Sequence, residues 1–182
     1  MWATEPIPED DPLRQGDLLE SVAFPMMKYP FVVFRVGGGE EQVVVEAKRR
    51  WGLVVSQCCD NENNDYVSIA QIQPIGGLTD SQEAALQVRE PDPTSLSGYA
   101  VSQFLLDPLP DLIPLKPRTH LTVQLLRITT LWGDIAPLTT QRRRRMTPEG
   151  RRWLRMNMEL LWGRPEDEDM RWLDEHGLPP GF

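Results

Sequence analysis

Trp51-Gly52-Leu53-Val54-Val55-Ser56-Gln57-Cys58-Cys59-Asp60 is the stretch whose reading decides the fold. Its first half is apolar and β-branched, the composition of a buried strand over 51–57. Its second half gathers polar and thiol groups. Asp60-Asn61-Glu62-Asn63 follows, and such side chains bond their own backbone, so 58–65 reads as a loop.

Strands are expected on either side. Upstream, Gln15-Gly16-Asp17 is a turn that opens a strand over 18–24, which Pro25 should end. Phe31-Val32-Val33-Phe34-Arg35-Val36, Gly37-Gly38-Gly39 and Gln42-Val43-Val44-Val45-Glu46-Ala47 read as a hairpin, because the glycines supply the positive φ angles of a tight turn. Lys48-Arg49-Arg50 then leads into the central strand. Downstream, a strand runs from Tyr66 to Ile75, with Val67, Ile69 and Gln71 on one face. Thr79 to Gln82 caps a short helix to Val88. Strands follow over 100–106 and 120–129, the second with Leu121, Val123 and Leu125 toward the core. Thr147-Pro148-Glu149 is a helix start, with a hydroxyl cap, proline at the first helical position and an acid in the first turn. That helix should run to about Trp162 and stop at Gly163, and 170–176 suggests one last short helix.

The 182 residues suffice for one domain and an appendage, divided here as an extended leader over 1–13, a β-barrel over 14–135 and a helical arm over 136–182. Seventeen prolines argue against long helices in the middle of the chain. A net charge of -8 disfavours general affinity for nucleic acid, which needs a basic surface. The two cysteines are neighbours, and a disulfide between them would be strained, which fits a reducing cytoplasm. No signal peptide is legible in the acidic, Pro-rich start, and no apolar run is long enough to cross a bilayer.

Gly16-Asp17-Leu18, Arg50-Trp51-Gly52-Leu53-Val54-Val55-Ser56 and Ile69-Ala70-Gln71-Ile72-Gln73-Pro74-Ile75 together resemble the MazF/PemK-like toxins over residues 14–77. The resemblance implies a small SH3-like barrel of a toxin–antitoxin or defence system, and RNA cleavage by an arginine and a threonine. The arginine falls on Arg50. The proline that should follow it is Trp51, and the threonine falls near Gly76, which has no side chain. The Ser56-Gln57-Cys58-Cys59-Asp60 ending looks more like a bacterial group with a Ser-Gln-x-Cys-Asp signature. The fold can therefore carry over without the activity.

Several groups could do chemistry. Cys59 could act as a nucleophile if His120 served as its base and Gln57 as an oxyanion donor. The plainer alternative is a small buried cysteine beside an Asp60 that caps the loop, since a neighbouring acid makes a poor thiolate. Cys58, Cys59, Asp60 and His120 are possible metal ligands, but adjacent cysteines point to opposite faces, so no metal and no cofactor are expected. Asp17 either caps its turn or orients Arg14 or Arg50. Arg142, Arg143, Arg144 and Arg145 form a basic run that could grip phosphates, an acidic partner or the acidic stretch 166–169.

Two functions follow as expectations. One is a non-catalytic protein-interaction module that meets a protein partner or a second copy of itself, away from any membrane. The other is an endoribonuclease with Arg50 on the scissile phosphate and Ser56, Gln57 or Asp60 nearby. A basic concave groove around Arg50 favours the second, and an apolar surface with exposed tryptophan favours the first.

Overall fold

The structure is a computed structural model that describes residues 1–26, 33–36, 40–43, 45–56, 66–88, 102–133 and 135–162. Gly16, at φ +87°, makes the turn that launches strand β1 (Asp17–Met26). A hairpin of β2 (Val33–Val36) and β3 (Glu40–Val43) follows, then β4 (Glu46–Val54) and β5 (Tyr66–Gly76). Helix α1 (Asp80–Gln87) precedes β6 (Gln103–Leu106) and the long β7 (Thr119–Trp132). A 3-10 helix (Ala136–Gln141), β8 (Arg142–Arg145) and helix α2 (Pro148–Trp162) end the described chain.

Six strands form one antiparallel sheet in the order β6-β7-β5-β4-β1-β8, and β2 and β3 pair separately. The protein is mainly β, with a barrel-like sheet and a C-terminal helix, as the strand-rich sequence implied. One face of the sheet curls around the larger core, where Leu18, Leu53, Ala70, Phe104, Val123 and Leu125 meet Leu154 of α2. The alternate side chains of the same strands, Leu19, Val54, Val67 and Ile69, bury against Leu13, Val22 and Phe24 in a second core. Both faces of β1, β4 and β5 are therefore covered, which explains why Leu53-Val54-Val55 is apolar without alternation.

The caps behave as expected. Thr79 and Gln82 form a reciprocal capping box on α1, and the Gly150 N–H donates to Thr147 Oγ1 at 3.1 Å on α2.

Four expectations are corrected. The central strand begins at Glu46, not Trp51, so Lys48, Arg49 and Arg50 lie within it. They are exposed because β4 extends past the core there, in register with the end of β1. Pro25 does not end β1, since it remains opposite Ala47. Arg142 to Arg145, within the span expected as a helical arm, is a strand. The leader, expected to be largely solvated, is so only in its middle. Trp2 bridges to Met146, the Ala3 N–H donates to the Arg145 carbonyl at 2.8 Å, and Leu13 is buried.

Strand β7 holds a large irregularity. Ala70 pairs with Ile128 and the next residue, Gln71, pairs with Gln124. Residues 125–127 therefore bulge out of register, and bulges bend a strand and re-aim its side chains. Leu125 stays in the core while Leu126 and Arg127 turn to solvent.

Candidate functional site: a basic cleft at Arg50

Two basic clusters occupy different surroundings. The first, Arg142 to Arg145, is neutralised within the chain. Arg145 donates to Asp17 at 2.6 and 2.9 Å and also to Asp11. Arg142 reaches Asp17 at 3.4 Å and donates to the carbonyls of Pro8, Asp11 and Pro12 at 2.8 to 3.0 Å. Arg143 pairs with Glu20 at 2.8 Å, and Arg144 with Asp111 at 2.6 Å. Asp17 also caps its turn by accepting from the Arg14 N–H at 2.9 Å, as one reading expected. Its guanidinium partners are Arg145 and Arg142 rather than Arg14 or Arg50. This cluster is a clamp that ties the leader and β8 to β1.

The clamp has a pH signature. The Arg145 guanidinium donating to Asp11 holds that carboxyl below its ordinary value, and Arg14 adds to the effect. Arg145 is held more firmly protonated, first by Asp17 and then by Asp11. A carboxyl depressed on folding adds stability above its unfolded value, and that stability is lost as pH falls through the lower folded value. Acid titration should therefore destabilise the protein below about pH 4. Asp11→Asn should flatten that acid limb, read from urea midpoints at a series of pH values.

The second cluster is a cleft of about 860 Å³ on the face of the second core. Lys48 and Arg50 lie two residues apart on β4 and so share a face, with Val54 further along it. Gln71 and Gln73 of β5 line the cleft, and Arg127 and Thr129 come from β7 beyond it. Phe24, Pro25, Met26 and Pro74 supply apolar wall. Among the described residues, its lining includes three cations and no Asp, Glu, His or Cys. Arg50 donates only to the neighbouring Arg49 carbonyl, at 3.2 Å. Among the described residues, Lys48, Arg50 and Arg127 have no carboxylate partner.

The bulge in β7 explains why Arg127 was missed. Extending the Leu121, Val123, Leu125 alternation puts Arg127 on the core side, where an arginine is costly. A charge in a core-facing register was the available signal that the register breaks there.

The other candidates are dispersed. Ser56 Oγ accepts the Ser68 N–H at 3.1 Å, near the start of β5. His120 lies opposite Ile75, seven residues further along β5, or about 23 Å of strand. Its Nε2 sits 3.1 Å from a Glu83 carboxylate oxygen on α1. The structure therefore does not bring Ser56 and His120 together. Gln57, Cys58, Cys59 and Asp60 lie outside the described residues, as do 166–169. Among the described residues, no group of three or more His, Cys, Asp or Glu side chains could hold a metal. No described helix is long and apolar enough to cross a membrane.

A scan of the sequence against protein-family models matched none, and a search of curated proteins gave no match.

Proposed function

We propose that the protein is an RNA-binding module that holds the phosphate backbone in the Arg50 cleft. The observation that carries this reading is a concave surface with Lys48, Arg50 and Arg127 and, among the described residues, no acid in its lining, in a chain whose net charge is -8. Cations without carboxylate partners in an acidic protein mark a surface kept for anions. The arginine run at 142–145 is larger but already neutralised, so it is not the contact surface. The apolar wall beside the cations suits sugars and base faces, which a small inorganic anion would not use. Placing this module in an SH3-like barrel of the MazF/PemK type, in a toxin–antitoxin or defence setting, belongs to the same proposal and is supported by the sequence resemblance.

Binding without cleavage is the reading the lining favours, because among the described residues it offers no His, Asp, Glu or Cys to serve as a general base. A second reading, an endoribonuclease, is favoured by one observation. Thr129, which carries a hydroxyl, lines the cleft that holds Arg50, although Gly76 supplies none. The interaction-module reading keeps its support in the exposed Trp132.

The test is RNA binding by anisotropy over a salt series. Wild-type affinity should fall with salt, and the triple variant Lys48→Ala, Arg50→Ala, Arg127→Ala should bind at least tenfold more weakly. Its log–log salt slope should shrink by about 2, at roughly 0.7 per lost phosphate contact on a single strand. Arg143→Ala should change neither quantity. Equal binding by wild type and triple variant would sink the proposal. RNA shortening by the wild type that stops with Thr129→Val would establish the second reading.

A further inference from the structure

The geometry points to a second site, the open edge of β7 over residues 128–132, and to its occupant, a second copy of this chain. Strand β6 covers only residues 121–124 of β7, so among the described residues nothing pairs with 128–132 on the side away from β5. The direction of the unpaired groups follows from the other side of the sheet. The Val55 N–H donates to the Ser68 carbonyl at 2.9 Å, and the Ser68 N–H donates to Ser56. The Ser68 backbone therefore faces β4, and its pair with Thr130 is a non-hydrogen-bonded one. The two hydroxyls of that pair sit 3.0 Å apart, as the closer spacing allows. The Thr130 N–H and C=O must then point away from β5. By the alternation of antiparallel strands, so do those of Ile128 and Trp132.

The two outermost strands of the sheet are blunted. Strand β8 is edged by Trp2 and Ala3 and carries four arginines, and β6 is only four residues long. Charge and short length are common ways to blunt an edge. Residues 128–132, Ile-Thr-Thr-Leu-Trp, carry neither device. Trp132 is 76% exposed, with the Tyr66 ring 5.0 Å beneath it.

Three features select a second copy over another partner. First, the outward-facing residues are symmetric about Thr130. An antiparallel pairing on a two-fold axis sets Thr130 against the partner's Thr130, and Ile128 against the partner's Trp132. All three resulting pairs are of the hydrogen-bonded type, about six backbone bonds in total. Second, Ile128 opposite the partner's Trp132 is a β-branched–aromatic pair, a favourable cross-strand combination. It would extend the rim of the larger core, against which Ile128 already packs. Third, two chains of charge -8 repel, and this uncharged segment lets them meet with no like charges opposed.

The experiment is sedimentation equilibrium on the full chain, in a concentration series reaching about 0.1 mM. Wild type should approach twice its 20.8 kDa mass. Thr130→Lys and Thr130→Glu each put like charges together on the axis, and each alone should shift the midpoint of dimerisation upward at least tenfold. Mixed in equal amounts, the two variants should recover a dimer, which a misfolded variant could not do. A wild type that stays at 20.8 kDa overturns the proposal and leaves the edge to an extended segment of another protein. Dimers that persist in Thr130→Lys, or a mixture that fails to recover them, overturn it as well.

Discussion

Replacing Asp17 with alanine is expected to lower the unfolding free energy by about 3–5 kcal/mol, the range for removing one partner of a buried ion pair. The Asp17 side chain is 0% exposed, and those of Arg142 and Arg145 are 3% and 14% exposed. Removing the carboxylate leaves those charges with carbonyl acceptors from Pro8, Asp11 and Pro12 and one remaining carboxylate, Asp11. The Arg14 N–H also loses its acceptor, so the turn that launches β1 loosens with the clamp. Asp17→Asn keeps the shape and an acceptor oxygen, and should cost less than alanine. Arg143→Ala and Arg144→Ala break only half-exposed pairs and should each cost about 0–1 kcal/mol. The measurement is urea unfolding followed by circular dichroism. A cost for Asp17→Ala no larger than for Arg143→Ala would mean that the clamp is solvated and does not hold the leader.

The clamp also shows where sequence reasoning reached its limit. Strands were legible wherever a local pattern sets them. Tyr66 to Gly76 alternates against two cores, and Thr147-Pro148-Glu149 carries its own start signal. Four consecutive arginines give no such pattern. They form a strand because Asp17, Asp11, Glu20 and Asp111, three of them more than a hundred positions away, supply the opposing charge. That pairing is a property of the tertiary arrangement and has no local signature. The same limit applies to the candidate site. Arg50 was identifiable from Lys48-Arg49-Arg50, but Gln71, Arg127 and Thr129 reach the cleft only through the β4-β5-β7 register and the β7 bulge. His120 was matched to Cys59 on chemistry alone, and the register of β5 with β7 sets His120 at the opposite end of β5 from Ser56, the last described residue before the cysteines.

The two basic clusters divide the work of one charge type. Where arginine meets a buried carboxylate it orders backbone, as at Asp17, and where it lacks one it remains available to a ligand. That division predicts separable phenotypes. Variants of the clamp should lose stability before they lose RNA affinity, and Lys48→Ala or Arg127→Ala should do the reverse.

Gly52→Val joins the two properties, and should cost about 3 kcal/mol or more, at or beyond the upper end of ordinary overpacking. Gly52 pairs with Leu19 on one side and Gln71 on the other, at the centre of the sheet. A Cβ placed there would lie 2.5 Å from Ile69 Cγ2, 3.2 Å from Val22 Cγ2 and 3.4 Å from the Phe24 ring. The missing side chain is therefore what lets Ile69 and Phe24 close the second core over β4. Alanine meets the same clash with one carbon and should cost about 1–3 kcal/mol, less the roughly 0.4–1 kcal/mol that a stiffer unfolded chain returns. Relief can be tested directly. Ile69→Ala alone opens a cavity worth about 2–5 kcal/mol, but it also removes the atom that Gly52→Ala strikes. The double variant should thus fall short of the sum of the single costs by at least 0.5 kcal/mol, within the range for contacting residues. Additive costs would place the strain elsewhere than this contact. Phe24 also walls the Arg50 cleft, so Gly52→Ala should weaken RNA binding where the Ile69→Ala partner restores it. A stability loss that leaves affinity untouched would mean that the phosphate contacts alone define the site.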